Sequence, residues 1–147
     1  MSDGDATRQY ATFFVGGSYY GIEVQQVQEV LYEQRTTPVP LTSADVSGLI
    51  NLRGQIVTAI DLRRRLGIRS RNPSDHEYVV VIRTPTGPLS LVVDSIGDVV
   101  TVDPNTIEMP PATLRGDARS LVLGVHLLDR QILQVLNVDR LLALVAA

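Results

Sequence analysis

The chain has 147 residues, 44% of them hydrophobic and 20% charged, with a net charge of −3 and no cysteine. That supports one ordinary domain or two very small lobes, and it leaves neither a disulfide scaffold nor a thiolate metal site. The acidic balance argues against broad binding to nucleic acid or membrane surfaces, no apolar run reaches membrane-spanning length, and the polar start MSDGDATRQ is unlike a signal peptide, so a cytoplasmic location is expected.

Residues 1–8 read as a loose tail. Tyr10 to Val15 is rich in aromatic and β-branched residues, and Gly16-Gly17-Ser18 turns it back into Tyr19 to Val24, a hairpin. Val24, Val27 and Val30 or Leu31 then recur at helical spacing, which predicts a short amphipathic helix or helical turn. Pro38, Pro40 and LTSAD carry the chain across as a loop. The stretch from Gly48 to Gly67 reads as strand, tight turn, strand and short helix. Arg53-Gly54 sits at the turn, Asp61 is an N-cap residue, and Leu62 to Leu66 runs to a terminating Gly67. An arginine on the tip of a paired turn faces solvent, which suits a contact residue better than a packing one, while its neighbours Leu52 and Ile56 are expected to pack inward.

After a polar link, IRSRNPSDHE, Tyr78 to Ile82 opens another strand, Pro85-Thr86-Gly87 turns it, and Leu89 to Val93 returns. Asp94 to Val99 takes the place of the first helical turn, and Pro104, Pro110 and Pro111 mark a loop. Leu121 to Leu128 and Gln131 to Leu136 form a last hairpin turned at Asp129-Arg130, and Asn137 caps a helix from Val138 to about Leu144. The halves match. Gly48 and Gly124, Gln55 and Gln131, Ile56 and Ile132, Asp61 and Asn137, and Leu66 and Leu142 are each separated by 76 positions, and Tyr10 and Tyr78 open the halves alike. One repeat is too few for a solenoid and predicts two similar β-lobes packed together, closed to hide their edges.

Catalytic chemistry has little support. His76 and His126 lie far apart in the sequence, Gly16-Gly17 lacks the lysine of a phosphate loop, and no serine sits in a nucleophile elbow. Asp94, Asp98 and Asp103 are explained by helix-start and turn roles. No metal, cofactor or enzymatic activity is expected. The cluster Arg53, Arg63, Arg64, Arg65, Arg69 and Arg71 raises an alternative, a nucleic-acid-binding small β-barrel. The stacking aromatics that single strands need are missing there, and a solvated helix face accounts for the charges.

Asn51-Leu52-Arg53-Gly54, then Ile56-Val57 and Ile60-Asp61-Leu62, resembles the central signature of the CheW family of bacterial chemotaxis coupling proteins. The resemblance extends over roughly residues 8–145 and departs from the family at Thr58, where a proline is usual. It implies an all-β fold: two small SH3-like five-stranded β-barrel lobes packed together around a groove, with short helices including one at the C-terminus. The division is then a tail over 1–8 and a single domain over 9–147, with sequence halves 9–73 and 74–147 and strands free to exchange between lobes. It also implies a stand-alone, non-catalytic adaptor, a monomer in isolation, that couples the cytoplasmic tips of chemoreceptors to the regulatory domain of the CheA histidine kinase. Nucleic acid is not among the implied partners, and the membrane is reached only through receptors. Carried over residue by residue, the binding positions are Val27 and Glu29 on the first short helix, Gly48, Arg53 on the turn, and Val79 on the strand opening the second half. All but Arg53 have a plainer explanation beside them. For Val27 and Val79 it is core burial, for Glu29 solvent in place of a receptor arginine, and for Gly48 a backbone requirement. No kinase-facing residue is identified.

Overall fold

A computed structural model describes residues 7–34, 46–67, 77–110 and 119–146. The loop at Pro38 and Pro40, the link holding Arg69, Arg71 and His76, Pro111 and most of the expected tail lie outside the described residues. In chain order the strands are β1 (Arg8–Val15), β2 (Ser18–Glu23), β3 (Val27–Gln34), β4 (Val46–Leu52), β5 (Gln55–Asp61), β6 (Glu77–Thr84), β7 (Gly87–Val93), β8 (Ser95–Ile96), β9 (Val100–Val102), β10 (Val122–Leu127) and β11 (Ile132–Leu136). Two helices, α1 (Leu62–Arg65) and α2 (Val138–Ala146), follow β5 and β11.

The segment expected as a first helix is a 3-10 turn over Val24–Gln26 followed by β3. β3 pairs antiparallel with β6, and its register shifts between Val27 and Glu29 and again between Leu31 and Gln34. The first of these bulges breaks the alternation of a regular strand between Val27 and Val30, so the valines fall at a spacing that imitates a helix. Tertiary pairing decides the outcome.

Lobe 1 is the sheet β10-β11-β2-β1-β8, with β9 also on β1, and lobe 2 is the sheet β3-β6-β7-β5-β4. Each lobe thus borrows its central hairpin from the other half of the sequence: β1–β2 completes the later strands, and β6–β7 completes the earlier ones. The repeat is visible in the register. Val46 faces Ile60 and Gly48 faces Ala59 across a bulge in lobe 2, and 76 positions on Val122 faces Leu136 and Gly124 faces Val135 across the same bulge in lobe 1. β5 joins β7 in parallel as β11 joins β2. Asp61 Oδ1 accepts from Arg63 N–H at 3.1 Å and Asn137 Oδ1 from Arg140 N–H at 3.0 Å, so both N-caps form. Tyr10 and Tyr78 are not equivalent, because aligning the turns at Val15–Ser18 and Thr84–Gly87 sets Tyr10 against Val79.

The exchange explains the apolar run YVVVI in β6. Val79 and Val81 face into lobe 2 with Ile50, Leu52, Val57, Ala59 and Val92. Val80 and Ile82 face the other way, into a shared core with Phe13, Tyr20 and Ile22 of the opposite hairpin and Leu121, Leu136 and Leu141. Tyr10, Tyr19, Val102, Leu133 and Val135 fill lobe 1. At roughly 1.5–3 kcal/mol for each fully buried aliphatic side chain, the shared core is the main force joining the lobes. A second link is polar. Asp94, where the chain crosses between lobes, accepts from Gly16 N–H at 2.7 Å and from Arg63 Nε at 2.9 Å, tying α1 to the β1–β2 turn.

The bulge glycine of lobe 1 admits no side chain: a Cβ on Gly124 would lie 2.7 Å from the Glu108 carbonyl oxygen and 2.7 Å from Ile107 Cγ1. Gly124→Ala should therefore cost about 1–3 kcal/mol by overpacking. Urea denaturation checks this, and a loss under about half a kcal/mol would mean that residues 107–108 yield freely.

Candidate functional site

The β4–β5 turn is built on two left-handed residues, Arg53 at φ 52° and Gly54 at φ 88°, the geometry of a type I′ hairpin turn. Asn51 Oδ1 accepts the Gly54 N–H at 2.8 Å and fixes the turn from within. Glycine takes the second position without penalty, whereas an arginine in the first stores local strain of order 1–2 kcal/mol. Such strain is characteristic of sites where side-chain placement matters.

The Arg53 side chain is 76% exposed yet held at one side: Nη1 donates to Glu29 Oε2 at 2.6 Å and Nη2 to Oε1 at 3.0 Å. Glu29 is on β3 and Arg53 on the tip of β4–β5, and β3 and β4 are the two edges of the lobe 2 sheet. This bidentate pair is a clasp across the seam where that sheet curls on itself. The structure thus brings together the two charged residues singled out in the sequence. Glu29 is occupied within the chain and is not left to solvent.

Val27 heads β3, half-buried against the shared core, and its carbonyl accepts from Arg83 Nη1 at 2.7 Å. Gly48 is the buried bulge residue of β4. Val79 is on β6 and fully enclosed in lobe 2. The inward packing expected beside the turn holds for Leu52 but not for Ile56, which is 61% exposed. Ile56 faces Asn51 next to the turn, one place before the inward-facing Val57, so strand alternation turns it outward.

Two members of the basic cluster are engaged within the chain. Arg53 is clasped by Glu29, and Arg63, well shielded, pairs through Nη2 with Asp94 at 2.9 Å. One surface escaped sequence reasoning. Leu123, Leu127 and Ile132 stand exposed on the β10–β11 hairpin, with Leu127 directly opposite Ile132. The repeat carried the signal, since Ile132 corresponds to Ile56 and both stand outward at the same hairpin position. Among the described residues no cluster of metal-ligating side chains occurs, and no helix is long and apolar enough to cross a membrane.

A family model described as the CheW-like domain matches residues 9–146. The chain belongs to the CheW family. Relatives include the chemotaxis protein CheW of Treponema pallidum, 30% identical over 96% of this chain and 85% of that one. The CheW of Bacillus subtilis is 29% identical over 88% of this chain and 83% of its own. In three dimensions the chain is similar to the scaffolding protein CheW of Thermoanaerobacter tengcongensis, with a TM-score of 0.79 at 28% identity and 90% coverage of both chains. The all-β, two-lobed architecture is therefore that of a CheW protein, and the Arg53 turn stands inside its signature segment.

The Arg53 half of the clasp stands in solvent while the Glu29 side chain is only 16% exposed, and solvent screening of the guanidinium should keep the contribution to stability small. In a double-mutant cycle of Glu29→Ala and Arg53→Ala, the coupling should be about 0.2–1 kcal/mol and should shrink as salt is raised. Gly54→Val should cost more than either single change, because a β-branched residue fits a left-handed position badly. Thermal melting of the four proteins decides it, and a coupling above about 2 kcal/mol would make the clasp structural.

Proposed function

We propose that this chain is a non-catalytic coupling adaptor of a bacterial chemosensory array, joining the cytoplasmic tips of chemoreceptors to the regulatory domain of the CheA histidine kinase. Membership of the CheW family carries the reading, and the two dissimilar surfaces support it. The seam of lobe 2 presents a guanidinium already fixed on one side by Glu29, with its remaining donors directed at solvent. A preoriented arginine is suited to a carboxylate or to the carbonyl groups of a helical hairpin tip. The hairpin face of lobe 1 presents Leu123, Leu127 and Ile132, apolar contacts suited to a folded domain of the same kind. An adaptor must hold two partners at once, and here one surface is on each lobe. The protein would act as a cytoplasmic monomer, reaching the membrane only through receptors. Arg53 and Arg63, engaged as they are, give the nucleic-acid reading no support.

Separate titrations with a receptor cytoplasmic fragment and with the kinase regulatory domain test the assignment. Arg53→Ala should melt normally and weaken the receptor fragment by about 2 kcal/mol or more, as for a hydrogen-bonded charge lost from an interface. Ile132→Asp should weaken the kinase domain and spare the receptor fragment. Wild-type protein that binds neither partner, or binds nucleic acid tightly at physiological salt, would overturn the reading.

A further inference from the structure

Lobe 1 closes its seam by a different device. Its edge strand β10 is met by the segment Asp103–Met109, which leaves β9 and crosses to it. Glu108 N–H donates to Val125 O at 2.8 Å, and Val125 N–H donates back to Glu108 O at 2.9 Å. Ile107 lies against Gly124. Beside these contacts Thr106 Oγ1 sits 3.1 Å from His126 Nδ1.

The direction of that last bond follows from the inventory of protons. The Thr106 hydroxyl donates to the Asp103 carbonyl at 2.8 Å, so toward the ring its oxygen accepts. Neutral His126 therefore carries its proton on Nδ1 and its lone pair on Nε2. The residue is 1% exposed, Nε2 is buried with no hydrogen-bond partner among the described residues, and the Tyr10 ring lies 5.9 Å away. The closed seam thus satisfies one ring nitrogen and offers no acceptor to a proton on the other.

We propose that His126 is an acid-sensitive latch: a second proton, arriving at Nε2, releases the Asp103–Met109 segment from β10 and opens lobe 1 while lobe 2 stays closed. The charged groups facing the ring are Arg8 on β1, which opposes a second positive charge, and Asp103, which favours one. Tyr10 on β1 presents its ring to the imidazole, and β11 brings Leu133 opposite it and no charged residue. Burial first, then Arg8, holds the ring's proton affinity below the ordinary histidine value, against the smaller pull of Asp103. An opened seam returns the ring to water and to a value near 6.5. The opened form then binds more protons than the closed one below that pH. Closure is fully favoured above about pH 6.5 and weakens as pH falls through it toward the closed-form value. The latch holds whether or not the adaptor reading is right, because it rests on lobe 1 alone.

Amide exchange on the full chain, corrected for intrinsic rates, tests it together with the imidazole nitrogen shifts of the wild type. The ring should show its proton on Nδ1 at neutral pH. From pH 7.5 to 5.5, protection of the Glu108 and Val125 amides should fall by up to about tenfold, the limit for one proton taken up at 6.5. Val80 and Leu91, paired within lobe 2, should keep theirs. His126→Phe, which keeps an apolar ring, should abolish the pH dependence at Val125. A proton found on Nε2, unchanged protection at Val125, an equal fall at Leu91, or an unaltered pH response in His126→Phe would each overturn the latch.

Discussion

The exchange of hairpins between the halves is the constraint on which this structure depends. β1–β2 and β6–β7 each lie in the middle of a sheet whose other strands come from the opposite half. A central strand packed against a second lobe is buried on both faces through its middle, so these strands carry apolar residues at neighbouring positions there. The three hydrophobic clusters follow: one inside each lobe, and the largest between them where the outer faces of the two hairpins meet. Lobe 1 cannot be described by a continuous stretch of sequence, whereas lobe 2 is the unbroken run from β3 to β7, and the interface between them is a core in its own right.

Much of this was legible beforehand, and the misses share a cause. The Arg53-Gly54 turn, the N-caps at Asp61 and Asn137, and the equivalence of Gly48 with Gly124 depend on local chemistry and a constant spacing, which a single sequence displays directly. A helical turn does form at Val24–Gln26, but the helical spacing runs on into β3 because a bulge between Val27 and Glu29 breaks its alternation, and bulges are set by the partner strand. Ile56 was placed inside because hydrophobicity alone does not tell which face of a hairpin end is covered. The pairing of Glu29 with Arg53 is not legible in the sequence because the two lie 24 residues apart, on opposite edges of the sheet. Sheet membership, a long-range property, was the least visible feature of all.

The two lobes show how one scaffold diverges at equivalent places. Both repeat the bulge, the parallel joint and the capped helix, yet they close their seams with different chemistry. Lobe 2 uses a charged pair at the surface, exposed to salt and to competing carboxylates. Lobe 1 uses a backbone bridge with a buried imidazole beside it, screened from salt but tied to protons. Duplication supplied the frame. The seams are where each copy took on its own sensitivity.

The exchanged topology also imposes an order of events during synthesis. The strands of lobe 2 lie between Val27 and Val93, so its sheet can be completed while the rest of the chain is still being made. The first hairpin has no such prospect. Tyr19 to Gly21 of β2 must wait for Leu133 to Val135 of β11, well over a hundred residues later, and until then a chain growing from its N-terminus carries Phe13, Tyr20 and Ile22 without their final sheet. The earlier hairpin is settled after the later one, and its exposed apolar face is the hazard the nascent protein must survive.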